Sequence, residues 1–276
     1  MASLSGNTIA STFAGLLKTS DSAARGAEGF GDQCSDGSGN TIPLFVSATE
    51  VYAVGSGTGT SHTAFGKDCG VDLAAGTGNS LFGEGAGADV TTGEHNTAVG
   101  YRALYQGTTE TDDNVAVGFN AMSGAWTTAA VNDCVVVGSG AGAGALTATA
   151  SGLTAVGTSA GAAVTSGAKN TAVGFGAGTA LTTSDNNVAM GYNALYRGTT
   201  ESDDNVAIGY NAMSGNFTTN AVNDCVVIGS GAAAGTLTAA ASGLTAVGTS
   251  AGAAMTSGAK NTALGFGAGT ALTTSD

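Results

Sequence analysis

The chain carries only seven basic residues against twenty acidic ones, giving a formal charge of −13, and a single proline, Pro43. Nucleic acid and anionic lipid surfaces are both held by grouped lysines and arginines. Here the basic residues are scattered, so neither is a partner this sequence is built for. No run of about 18 apolar residues occurs, so no segment is suited to cross a bilayer as a helix. The first seven residues lack a basic stretch followed by a continuous apolar one, and do not read as a secretory signal. The four cysteines, Cys34, Cys69, Cys134 and Cys225, form neither a C-x-x-C pair nor a metal-ligand spacing, which points to small buried thiols in a reducing compartment.

Candidates for catalysis are equally sparse. His62 and His95 are the only histidines, and neither has a spaced set of Cys, His or carboxylate partners. Gly-x-Gly strings such as Gly174-Phe175-Gly176 lack the lysine of a phosphate-binding loop and the βαβ context of a dinucleotide fold, so they read as turns. No serine has an acid–base pair that can be named beside it. The expectation is therefore a protein without catalytic, cofactor-binding or metal-binding residues. The acidic turns at 109–113 and 200–204 are a candidate calcium site, since stacking could gather carboxylate oxygens there; solvated turns are the simpler reading.

What the chain has in excess is glycine, 47 residues of it, and the glycines fall in a pattern. The pentapeptide Asn170-Thr171-Ala172-Val173-Gly174 recurs from one end to the other. Aligned on its glycine, copies end at Gly100, Gly118, Gly138, Gly157, Gly174, Gly191, Gly209, Gly229, Gly248 and Gly265, with spacings of 17 to 20 residues. Each glycine is followed three residues later by an alanine. A further copy is Asn79-Ser80-Leu81-Phe82-Gly83, and weaker ones end at Gly66 and Gly55. Five spacings sum to 91, and residues 96–185 match 187–276 almost position for position. Such self-similarity signals stacked units that cannot bury their apolar face alone. The chain divides into a non-repetitive segment at 1–50, degenerate rungs at 51–95, a five-rung cassette at 96–186 and its second copy at 187–276.

Within a rung, alternation along Asn-Thr-Ala-Val puts Thr and Val on one face and Ala on the other, the period of a short strand. Glycine ends it where a positive φ or a close backbone approach is needed. A second apolar and threonine stretch, as at 179–183 or 144–147, reads as a second short strand, giving two strands and two turns per rung. The fold class is all-β, a parallel β-roll or β-solenoid. Asn96, Asn114, Asn170, Asn187, Asn205 and Asn261 open their rungs and are expected to form a ladder, each side chain bonding the turn backbone of the rung beside it. Cys134, Leu153, Cys225 and Leu244 take that place in the other rungs. Cys134 and Cys225, five rungs apart at roughly 4.8 Å each, cannot pair within one chain.

Each rung offers few bulky apolar side chains against an ordering cost of about 1.5 kcal/mol per residue. That shortfall favours several chains sharing a core along a common axis, with Val99, Val117, Val137, Val156 and Val173 turned toward it. Segment 1–50, where 8–17 could be an amphipathic helix or a strand, is expected to cap the repeat or attach it to a larger assembly.

The Asn-Thr-Ala-Val-Gly rung with its alanine at the third following position resembles the repeat of the YadA-like head of trimeric autotransporter adhesins, over residues 79–276 and more weakly over 51–78. That resemblance implies a left-handed parallel β-roll with three chains sharing a core. The rungs here are longer than in that head. Longer rungs, with the start Leu4-Ser5-Gly6-Asn7-Thr8-Ile9-Ala10, are similar to fibre proteins of bacteriophages. The resemblance implies a homotrimeric structural fibre located in the virion, bound to another virion protein through segment 1–50 and to a host-surface glycan or protein. A bacterial surface adhesin is the alternative. An ice-binding solenoid is a third reading, suggested by Thr, Ala and Gly at low charge. Because Asp276 answers to Asp185, the polypeptide is expected to continue past 276 or to be capped by another protein. Differences between the cassettes gather at 125–129 and 216–220, in rungs with the longest spacing. Trp126 and Phe217 are accordingly expected to project from a loop and contact the host surface.

Overall fold

The computed structural model describes residues 62–276 apart from 74, 107–109, 125, 127–129, 198–200, 218–220, 271 and 274–276. Segment 1–50, expected to cap or attach the repeat, and the weak copy ending at Gly55 lie outside the described residues. Twelve strands run β1 (Thr63–Phe65), β2 (Ser80–Phe82), β3 (Thr97–Val99), β4 (Val115–Val117), β5 (Val135–Val137), β6 (Thr154–Val156), β7 (Thr171–Val173), β8 (Val188–Met190), β9 (Val206–Ile208), β10 (Val226–Ile228), β11 (Thr245–Val247) and β12 (Thr262–Leu264). They form one parallel sheet in strict chain order, each pairing only with its sequence neighbours. The fold is an all-β parallel β-solenoid. Register is fixed position for position, as where Thr171, Ala172 and Val173 face Val188, Ala189 and Met190.

Each strand is three residues long, with its middle residue buried and its flanking residues half-buried or exposed. The middle position is alanine in most rungs, and Ala98, Ala116, Ala172 and Ala207 are fully buried. Leu81, Val136 and Val227 fill the same buried column in three of the other rungs. The strand-ending glycine stacks on its counterpart so tightly that a Cβ on Gly100, whose φ is +132, would sit 2.5 Å from the carbonyl oxygen of Gly118. Neither the conformation nor the space admits a side chain there.

The expected second strand per rung does not form among the described residues. Four residues past the strand glycine the backbone turns left-handed, at Leu104 (φ 52), Leu195 (φ 48) or Gly178 (φ 55). The chain then bonds to itself: Leu181 N–H donates to the Gly178 carbonyl (3.2 Å) and Thr182 N–H to that of Ala180 (2.8 Å). Residues 179–183 and 144–147 are turns and coil, with a single 3-10 turn at Ala148–Ala150 just beyond the latter. A left-handed residue at the entry prevents the extended run a strand needs.

Rung length follows what fills the roll. In rungs with a spacing of 17, the left-handed position is glycine and the inward bulk comes three residues later, from Val90, Val164 or Leu181. A Cβ on Gly178 would meet Leu181 Cδ1 at 2.9 Å. In the rungs with a spacing of 20, the left-handed position is Met122 or Met213, and a further ring, Trp126 or Phe217, is buried as well. In both of these rungs the aromatic ring joins the continuous hydrophobic core.

Candidate interaction surface

That packing corrects the expectation for Trp126 and Phe217. Both belong to the hydrophobic core, Trp126 being 2% exposed and Phe217 fully buried. Burial removes both rings from the host-facing loop position expected of them. Trp126 Nε1 is buried without a hydrogen-bond partner, a cost that Phe217 at the matching site avoids.

The asparagines form two continuous ladders inside the roll. The Asn79 Oδ1 accepts from the Asn96 backbone N–H (2.8 Å) and from its Nδ2 (3.0 Å), while Asn96 Nδ2 also donates to the Thr111 carbonyl on the next rung (2.6 Å). Asn114 repeats the pattern, taking Asn96 Oδ1 and donating to the Val131 carbonyl (2.7 Å). A second run does the same through Asn170, in the last rung of the first cassette, and Asn187 and Asn205 of the second. Each amide thus bonds both its neighbour in the ladder and a turn carbonyl, so these side chains tolerate full burial. Cys134 N–H donates to the ladder's last oxygen, Asn114 Oδ1 (3.0 Å), and its thiol reaches the Ala150 carbonyl (3.8 Å) in place of an amide. Cys225 does likewise with Asn205 Oδ1 and the Ala241 carbonyl. Leu153 and Leu244 then end each ladder. Asn261 stands after Leu244 and is half-buried, its Nδ2 donating to the Gly258 carbonyl (2.8 Å). His62 occupies the same register one rung before Asn79, whose N–H points at His62 Nδ1 (3.3 Å).

Burial pushes the Cys134 thiol up to about 11, and that of Cys69 likewise, while Cys225 is raised for the same reason. These thiols are weak nucleophiles at neutral pH.

A second ladder, which the sequence reading missed, runs two residues ahead of the first. Glu94 N–H donates to Asp112 Oδ1 (2.8 Å), Asp112 N–H to Asn132 Oδ1 (2.8 Å), and Asn132 N–H to Ser151 Oγ (3.1 Å). Its counterpart runs from Ala168 through Asp185, Asp203 and Asn223 to Ser242. A short oxygen-bearing residue at that offset in successive rungs was the available signal. Asp112 and Asp203 of the acidic turns are thus engaged as acceptors for backbone N–H groups. Among the described residues no group of three or more His, Cys, Asp or Glu side chains is placed to hold a metal ion. Nor is any helix long and apolar enough to cross a membrane.

What the roll leaves outside is the opposite face of its sheet. The first strand positions are Thr, Ser or Val throughout, the third positions are Phe, Val, Met, Ile or Leu, and none is charged. Val99, Val117, Val137, Val156 and Val173 lie in the third column, turned away from their own chain's core and at least half-buried or exposed. The alternation continues one step past the glycine, where aromatic side chains stand outward. Tyr101 stacks on Phe119 (5.3 Å between centroids), and Phe175, Tyr192 and Tyr210 form a continuous stack at 5.3 and 5.2 Å. Ser139, Thr158, Ser230 and Thr249 hold the same column in the rungs between. Comparison with protein-family models, with curated proteins and with solved structures returns no match to this chain.

Proposed function

We propose that this chain is the shaft of a structural fibre of a phage virion, associating with itself along its outer strand face as a parallel homotrimer and contributing to attachment at a host surface. In this reading segment 1–50 binds another virion protein. The observation that carries it is the uncharged, largely apolar outer face, maintained over twelve strands in a chain of net charge −13. A solitary molecule so acidic has ample means to place charge on its exposed strands, yet places none there. Depletion of charge at the centre of a contiguous apolar patch marks a protein interface. Eleven steps of roughly 4.8 Å give each copy a rod of about 53 Å, a geometry suited to a shaft.

An ice-binding surface would need a flat array of equivalent residues. Here the first column mixes Thr with Val, and the third ranges from Val99 to Phe82, with aromatic rings standing beside it. A bacterial surface adhesin shares the self-association and differs in its anchorage. Native mass measurement of the purified chain tests the reading. Three copies of 26.2 kDa, about 79 kDa in all, are expected, and a folded monomer at micromolar concentration would refute it. Purified protein should also compete with intact particles for adsorption to host cells.

A further inference from the structure

The outward surface has three columns: the first and third strand positions, and the residue after the glycine. Its outer flank is not uniform along the rod. Aromatic rings fill the third of these columns at Tyr101 and Phe119, at Phe175, Tyr192 and Tyr210, and at Phe266, with small hydroxyl residues between the groups and the charged Lys67 and Glu84 in the first two rungs. Within the longer stack the ring planes lie 8° and 12° apart. The faces of the middle ring are therefore spent on its neighbours, and what projects into solvent is a continuous edge, with Phe175 and Tyr210 both more than half exposed. Such a ridge is not a platform for a flat ligand; it fits a shallow apolar trough running parallel to it.

Two rows of alternate residues place the columns roughly 7 and 13 Å apart, so the surface measures about 13 by 53 Å, or roughly 700 Å². That is close to the about 800 Å² per partner of a standard stable interface. Rotation about any axis parallel to the rod brings opposite flanks of the surface together: the aromatic column of one copy meets the first strand column of the next, on the same rung. An axis perpendicular to the rod would instead set aromatic against aromatic, antiparallel. Rung by rung, the first arrangement opposes Phe175 to Thr171, Tyr192 to Val188 and Tyr210 to Val206, a ring against a short β-branched side chain each time. The second would hold the surfaces apart wherever ring meets ring, against the dense packing of protein interfaces.

Resting on the self-association proposed above, we infer that the aromatic ladder of each copy packs edge-on over the first strand column of its neighbour, with Phe175, Tyr192 and Tyr210 seated against that neighbour's Thr171, Val188 and Val206. Closed rotational symmetry has no translation along the rod, so it sets each rung beside the same rung of the neighbour.

The test uses full-length chains in a Cys34→Ser background. Chains carrying Thr154→Cys are co-expressed with chains carrying Thr158→Cys, then oxidised, and the products are read by native mass and by mass spectrometry of linked peptides. Both sites lie in a rung without a ring, so the ladder stays intact. A 154–158 disulfide between chains is expected in the mixture and in neither variant alone, and Thr158→Cys with Val188→Cys, two rungs away, should not link. Multimers in which 154 links to 154, or in which no link forms, would overturn the seam while leaving self-association standing. Monomers throughout would overturn both. A second measurement is the Phe175→Ser, Tyr192→Ser, Tyr210→Ser variant, whose side chains are outside the core. It should keep its circular dichroism spectrum while the concentration needed for assembly rises at least thirtyfold, the loss expected for one central contact residue. Unchanged assembly would count against the seam.

Discussion

Trp126 and Phe217 show how much bulk the longest rungs bury. Each is the extra bulk that a rung with a spacing of 20 encloses, sharing the interior with Met122 or Met213. Truncating such a ring leaves a cavity that a stacked solenoid cannot collapse, so Trp126→Ala or Phe217→Ala should cost about 3–5 kcal/mol in denaturant unfolding. Trp126→Phe reproduces the other cassette and removes the unpartnered Nε1, and should cost less than half as much. If Trp126→Ala left the unfolding midpoint unchanged, the ring would not be core. The thiols give a second handle. The folded pKa of Cys134 is raised by burial from 9.0 to about 11. The unfolded chain therefore releases its proton first as pH rises, and stability is full below about pH 9 and lost between 9 and 11. Each unit of that window is worth about 1.4 kcal/mol. The Cys134→Ala, Cys225→Ala double variant should lose less stability than the parent between about pH 8 and about pH 10.5, measured as the difference in unfolding free energy.

At the scale of the strand and turn, order comes from columns more than from any single element. A three-residue strand is too short to persist alone, and each one is held by identical strands on either side and by the ladder ahead of it. Asn187 sits mid-ladder, donating to Ser202 and accepting from the Asn205 backbone. Asn187→Ala leaves that buried N–H and carbonyl without partners, and should cost about 2 kcal/mol or more, with hydrogen-exchange protection falling first at Asn205 and Ser202. Loss confined to residue 187 itself would mean that the ladder does not transmit. The strands, their register and the asparagine positions were legible because the glycine that ends each strand recurs without exception. The second ladder was harder to see, since Asp, Asn and Ser alternate in it and share only a short side chain with an oxygen. The supposed second strand failed for a related reason: threonine-rich stretches at 179–183 carry strand composition, but the left-handed residue before them sets the backbone, and composition does not report it.

For the whole molecule, the unit that the sequence duplicates is the five-rung cassette, and the structure gives a physical reason. Along it the spacings run 18, 20, 19, 17 and 17, and the buried ladder runs Asn, Asn, Cys, Leu, Asn, so perimeter and hydrogen bonding return to their starting state only after five rungs. A solenoid's stability is close to a sum of rung terms and neighbour terms. Removing residues 96–186 excises one full period and joins His95 to Asn187, whose counterpart is the Asn96 that stood there before. Asn79 then meets Asn187 in place of Asn96, with every neighbour pair of a kind already present in the parent. The shortened chain should fold to a rod about 24 Å shorter, with its denaturant dependence reduced by roughly two-fifths, as five of twelve strands are lost. Its aromatic column would pass from Glu84 directly to Tyr192 and Tyr210, preserving one ladder and hence the capacity to associate. Small-angle scattering gives the length and equilibrium unfolding gives the slope. A collapsed or aggregated product, despite unbroken register at the junction, would show that the cassettes depend on one another beyond their nearest rungs.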